Sequence, residues 1–301
     1  MARTLLLVLL LALCALPAQA QRVTVRAVAP PGVDSTLVAR FQLADTYIRG
    51  GQYDRAIGLL EDLYADSPST YAFYDKLKEA YENVKRYDDA LALVDDWMAR
   101  NTGDPTALIA EKARLTYLQG DEQAAFDLWD SAIPRSDPNE QVYRAIYSSM
   151  LNVRLFDKAI EVLEQGRRDL GQHALYQIDL AYLYSLTSKH EQAMEEYLNL
   201  LAVNERQLNL VRNRLNRFLE QEGALEASIA ATERGVRKHP LNRSYREILG
   251  WLYMEDQNYE KAFDAFRAID RLEKEDGQVL FGFAQRAAGA GAYDVALEAF
   301  Q

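Results

Sequence analysis

The chain has 301 residues, 49% of them hydrophobic, which excludes a disordered chain and leaves room for two ordinary domains or one elongated array. Lysine and arginine number 34 against 45 acids, a formal net charge of -11. That balance argues against a nucleic-acid binder, which needs a basic face, and fits a soluble, self-repelling surface.

The first twenty residues, MARTLLLVLLLALCALPAQA, read as a secretory signal peptide. Arg3 supplies the positive start, Leu5 to Leu16 an unbroken apolar run, and Ala18-Gln19-Ala20 a small-x-small cleavage signal. The run is too short to span a bilayer, which takes roughly 20 residues, and no later run reaches that length. The expected mature chain is therefore exported, periplasmic or extracellular, without a transmembrane segment; a bacterial envelope is the setting that fits best. Cys14, the sole cysteine, lies inside the signal, so the mature chain has no disulfide and no thiolate ligand. An acylated Cys14 is the alternative reading, but Leu13 stands where a small residue is needed. Residues 21–36 form a short leader in which only Val23 to Val28 alternates like a strand, and Asp34 or Ser35 is placed to cap a first helix.

From there to the end one pattern recurs. GGQYDRAIGLLEDLYADSP begins at Gly50, KRYDDALALVDDWM at Lys85, LFDKAIEVLEQG at Leu155, KHEQAMEEYLNLL at Lys189, NYEKAFDAFRAI at Asn258 and GAYDVALEAF at Gly291. Weaker copies begin at Gly120 and Gly223. Aligning them superposes Ala56, Ala90, Ala125, Ala159, Ala193, Ser228, Ala262 and Ala296, at intervals of 34 or 35 residues. Within each copy, apolar residues follow helical spacing on both sides of a polar turn, as at Gly51 with Tyr53 or Gly291 with Tyr293. Proline or glycine closes several second helices, at Pro68, Pro138, Gly171 and Pro240.

This pattern resembles the tetratricopeptide repeat, a two-helix unit of about 34 residues. Leu249, Gly250, Tyr253, Tyr259, Ala262 and Phe266 carry the match in the best copy; Ala44, Tyr47, Tyr53, Ala56, Leu60 and Pro68 carry it in the first; and Ala181, Tyr184 and Ala193 mark the fifth. The resemblance implies an all-α, right-handed superhelical solenoid of about eight repeats over residues 37–301. The repeats fall near 37–70, 71–105, 106–139, 140–173, 174–208, 209–242, 243–276 and an incomplete 277–301. The second copy puts Lys78 at a small-residue site, and the sixth puts Asn216 there. Gly250 sits inside a helix, where glycine costs roughly 1 kcal/mol relative to alanine. The expected return is close backbone approach between the helices of Gly250 and Ala262, with Leu249, Tyr253 and Phe266 filling the space around it.

No catalytic constellation stands out. His173, His190 and His239 lack partner ligands at helical spacing, and His190 falls where other copies carry a turn aromatic, so packing is its expected role. There is no nucleophile elbow and no phosphate loop. Neither a metal nor a cofactor is expected. Asn242-Arg243-Ser244 is a glycosylation sequon, which matters only in a eukaryotic host.

The remaining signal is a stripe on the first helix of each repeat, which in the resembled family lines a concave groove for extended peptides or partner helices. Here it carries Arg114, Tyr117, Arg144, Tyr182, Asn213, Arg217, Trp251 and Phe281. Arginines and aromatics are the residue types that anchor protein partners. The competing reading pairs the arginines with acids such as Glu82 and Glu220 and uses the aromatics as filling. Arg212, Arg214 and Arg217 also cluster on one helix and suggest an anionic ligand, unless Glu220 and Glu222 balance them. The lysine-and-asparagine clamp that some family members use for chaperone tails is absent from these positions. The expected function is a non-catalytic scaffold binding a protein or peptide, without nucleic acid. Two alternatives stand beside it: a targeting region of a longer enzyme or sensor continuing past Gln301, and a module that self-associates through its open last repeat.

Overall fold

The computed structural model describes residues 35–101, 103–133, 138–274 and 276–301. The expected signal peptide, Cys14, the Val23–Val28 stretch and the expected cap at Asp34 therefore lie outside the described residues. Among the described residues there are sixteen α-helices, one 3-10 turn and no strand. They run α1 (Ser35–Arg49), α2 (Tyr53–Asp66), α3 (Tyr71–Asn83), α4 (Tyr87–Arg100), α5 (Thr106–Gln119), α6 (Glu122–Ala132), α7 (Glu140–Asn152) and α8 (Phe156–Leu170). The series continues with α9 (Gln177–Leu186), α10 (His190–Val203), α11 (Leu208–Phe218), α12 (Ala224–Lys238), α13 (Arg243–Glu255), α14 (Tyr259–Glu273), α15 (Gln278–Gly289) and α16 (Tyr293–Phe300). Odd and even helices alternate across short turns, so the chain is an all-α helical-repeat solenoid of eight consecutive helix pairs. It forms two compact units, of which the first is described over residues 35–80 and the second is Tyr81–Gln301.

Each odd-to-even turn contains one residue in the left-handed region. These are Gly51, Lys85, Gly120, Arg154, Ser188, Gly223, Gln257 and Gly291, with φ between 56° and 105°. In seven of them the turn residue's N–H donates three residues back and the next N–H donates five residues back. At Arg154, for example, Arg154 donates to the Leu151 carbonyl and Leu155 to that of Met150, both at 3.0 Å. This is the Schellman geometry that satisfies the orphan carbonyls of a helix end. The backbone then enters the even helix at once, because the carbonyl of the residue after the turn accepts from the N–H four positions on, as from Leu155 to Ala159.

Five residues after each left-handed residue comes the repeat's small position. Ala56, Ala90, Ala125, Ala159, Ala193, Ser228, Ala262 and Ala296 are all between 0 and 2% exposed. Ala44, Ala181 and Ala284 on odd helices are fully buried too. In the first unit α1 lies on α2, with Arg40 reaching Asp62 and Asp66 at 3.2 Å each. In the second unit each pair meets the next in chain order: α10 packs on α12, α12 on α13, and α14 on α15. One apolar core runs from Ala110 to Leu252, and a second gathers Leu249, Tyr253, Phe263, Phe266 and Phe283. No pair buries its apolar face alone, so packing between neighbours stabilises every pair.

Gly250 has a more specific task than close backbone approach. A Cβ at this position would stand 2.8 Å from Cε2 and Cζ of Phe266, so the missing side chain is what seats that ring. Phe266 in turn lies 5.4 Å from Phe283, centre to centre, across the junction to the next pair. Gly166 does the same for Tyr143, whose Cγ would lie 2.8 Å from its Cβ.

Polar latches recur on this frame. Tyr184 donates to Glu164 at 2.5 Å and Tyr253 to Glu233 at 2.6 Å, each from an odd helix to the even helix before it. Tyr143 donates to Asp169 at 2.6 Å within its own pair. Burial first, and the neighbouring carboxylate second, push all three hydroxyls above the ordinary tyrosine pKa. Arg167 forks onto Glu196 at 2.6 and 2.7 Å and donates to the Leu175 carbonyl at 2.6 Å, tying α8 to α10.

The sixth pair departs from the expected pattern at its small site: Asn216 is exposed, while Val211, Leu215 and Phe218 are buried like Tyr245, Leu249 and Leu252 one repeat later. Lys78 stays half-buried, its ammonium 5.7 Å from the Tyr74 ring and 3.7 Å from Asp75. His190 packs edge-on against Phe218 at 5.4 Å.

Gly250→Leu is expected to lower unfolding free energy by about 1–3 kcal/mol, because Phe266 is confined by Phe283 and cannot clear the seat. Chemical denaturation measures this, and an unchanged midpoint would show that the ring has room to move.

Candidate partner-binding surface

The odd helices of the second unit carry all eight stripe residues, and their environments differ. Arg114, on α5, is buried and bonded to Glu111 at 2.6 Å and to Glu82 at 2.7 Å. Burial alone would lower its pKa; the hydrogen bonds and charges of Glu111 and Glu82 reverse this and hold it charged. Tyr117, one turn further on, is partly buried against Phe126 and Trp129, with ring centres 6.4 and 6.1 Å away. These two side chains are engaged internally.

Arg144, on α7, is exposed but tethered. It donates to Glu140 at 2.8 Å and to Asp179 of α9 at 3.1 Å, and its guanidinium carbon lies 5.2 Å from the Tyr176 ring centre. Tyr147 stands in the same group: burial, followed by the Asp179 charge, pushes its pKa up to about 12. Tyr182 is 45% exposed beside them. The sequence points to Arg144 and Tyr182; Asp179, which holds Arg144 and acts on Tyr147, carries no repeat signal in the sequence.

Asn213 and Arg217 on α11 are exposed. Among the described residues Arg217 has no carboxylate at ion-pair distance, and neither Glu220 nor Glu222 balances Arg214. The α11 arginines do not form one patch. Arg212 lies over Trp251 of α13 at 5.6 Å, whereas Arg214 acts electrostatically on the buried Tyr197. Trp251 is half-buried, and Phe281 on α15 is 55% exposed, touching Phe300 edge-on at 5.6 Å.

Among the described residues no group of three metal-ligating side chains exists, and no helix is long and apolar enough to cross a membrane. Asn242 of the sequon caps α13, accepting from the Tyr245 N–H at 2.9 Å.

Buried small residues at a fixed interval, left-handed turns in phase with them and polar odd-helix faces define a helical-hairpin repeat protein. The model of the tetratricopeptide repeat family matches residues 41–105 and 216–276. Those two segments are tetratricopeptide repeats, and repeats of this kind support a protein-interaction scaffold. No curated protein matches it in sequence. Among solved structures it is similar to the C-terminal part of a repeat-containing protein from Cytophaga hutchinsonii: 19% identity over 78% of this chain and 95% of that one, TM-score 0.36. It is also similar to a putative kinesin light chain from Podosopora anserina with nearly identical repeats: 20% identity over 57% of this chain and 96% of that one, TM-score 0.37. The MamA protein shares 17% identity over 57% of this chain and 93% of its own, TM-score 0.34. TM-scores this low add nothing to the fold already described.

Arg114→Met is expected to cost about 2–4 kcal/mol of stability, because it strands two carboxylates in a mostly buried site. Urea unfolding checks this, and a loss below about 0.5 kcal/mol would mean that the arginine is not held by Glu82 and Glu111.

Proposed function

We propose that the chain is a non-catalytic adaptor that holds a peptide or partner helix against the odd helices of its second unit. One observation carries this reading. Tyr182 and Phe281 present large aromatic surfaces at 45% and 55% exposure on odd helices of the second unit, beside the fully buried Leu180, Leu183 and Phe283. Exposed aromatics cost solvation in the free protein and are the residues that anchor interfaces. A frame fixed by buried seats and latches keeps them in place, so binding costs little ordering entropy. Arg144, Asn213, Arg217 and Trp251 supply polar and aromatic contacts beside these anchors, while Arg114 and Tyr117 support the helices from within. The apolar N-terminal segment adds the cell envelope as the place of action, since it reads as an export signal.

The test is site-specific photo-cross-linking in the native host. A photoreactive residue at Tyr182 or Phe281 is expected to capture the same discrete partner, identified by mass spectrometry. One at Leu272, equally exposed on the even helix α14, is expected to capture none. Adducts at Leu272 alone, or the same adducts from all three positions, would place binding elsewhere. Fractionation of the same cells is expected to find the chain in the envelope rather than the cytoplasm.

A further inference from the structure

Most arginines of the second unit sit beside carboxylates, as Arg114, Arg144, Arg167, Arg234 and Arg243 do. Arg212 and Arg286 do not. Among the described residues neither has a carboxylate at ion-pair distance, and each rests on an aromatic ring instead. The Arg212 guanidinium carbon is 5.6 Å from the centre of Trp251, and that of Arg286 is 5.1 Å from the centre of Phe266. The arginines belong to α11 and α15, with the odd helix α13 between them in the repeat order. The two rings belong to one contact region: Phe266, under Arg286, is seated against Gly250, the residue before Trp251, and the charge of Arg212 is felt at Arg286. Glu247 acts on Arg286 only in part, because it also lies 3.7 Å from Arg243, which pairs with Glu273 as well.

Two neighbouring cations without a counter-ion repel each other in the free protein. A ring stacked on one face of a guanidinium leaves its N–H edge available, and that edge matches a carboxylate in two-pronged geometry. We propose that Arg212, Trp251 and Arg286 form a receptor for an aspartate or glutamate side chain of a bound peptide, a specificity that rests on the adaptor reading above. Phe281, on the same helix as Arg286, offers an apolar contact to the rest of that peptide.

Tryptophan emission gives the readout, because Trp97 and Trp129 are buried and Trp251 alone of the three is half-exposed. The purified chain is titrated with capped hexaglutamate, capped hexaglutamine and inorganic phosphate. Hexaglutamate is expected to change the emission saturably and hexaglutamine not to, and Trp251→Phe removes the signal. The double variant Arg212→Gln with Arg286→Gln, its fold checked by circular dichroism and thermal melting, is expected to bind hexaglutamate about tenfold more weakly or worse. The proposal is overturned by no saturable change, by equal responses to the two peptides, by phosphate saturating at lower concentration than hexaglutamate, or by unaltered binding in the double variant. If it is overturned while Tyr182 still cross-links a partner, the adaptor reading stands and only its acidic specificity is lost.

Discussion

Two backbone facts, five residues apart, organise the molecule. One residue of each turn must enter the left-handed region, and the fifth residue after it must be small enough to vanish between helices. The first condition ends the odd helix and aims the even one; the second sets how near the two can lie. Both recur in phase through all eight pairs, so the sequence interval is the trace of a packing distance. Four of the eight turn residues are not glycine, yet Lys85, Arg154, Ser188 and Gln257 adopt the same conformation. The packing of the pairs overrides the local cost of a side chain there, which is roughly 1 kcal/mol or more per residue.

That frame decides which polar groups are available for recognition. Arg114 and Arg167 are consumed by it, because partly buried carboxylates hold them: Glu111 from Arg114's own helix, and Glu82 and Glu196 from neighbouring pairs. Arg144 is intermediate: its ion pairs stitch α7 to α9 while its side chain remains half-exposed. Arg212 and Arg286 stand apart, since the frame gives each a ring and, among the described residues, no carboxylate at ion-pair distance. The electrostatics of the odd helices thus shifts from saturated near α5 to unsatisfied near α11 and α15. On the proposed reading, a partner would be recognised by charge at one end of this surface and by aromatic contact along it.

Much of the frame is legible in the sequence because it depends on side-chain size. The eight small positions align by eye, and each is buried. The glycine turns are legible for the same reason, but the left-handed state of Lys85 or Arg154 is not, since nothing in those side chains asks for it. Gly250 was readable as a site of close approach; that the approaching group is the Phe266 ring, rather than the backbone near Ala262, depends on rotamers that a sequence does not carry. Asn216 stands exposed where Ala181 and Gly250 are buried, and its polar side chain at a small-residue site is the visible sign of that departure. Arginine and aromatic types marked the candidate surface, but Glu82 claiming Arg114 was only one of two open readings. Arg286 lies 35 residues after Trp251, so the repeat interval could have found it.

The most direct test of the central claim is a comparison of turn variants by urea unfolding. Lys85→Gly, Arg154→Gly, Ser188→Gly and Gln257→Gly each relieve a left-handed side chain, and each is predicted to gain about 1 kcal/mol, whereas Gly120→Ala is predicted to lose a similar amount. Losses across the four glycine variants, with Gly120→Ala neutral, would contradict the view that these turns impose the geometry on which the repeat depends.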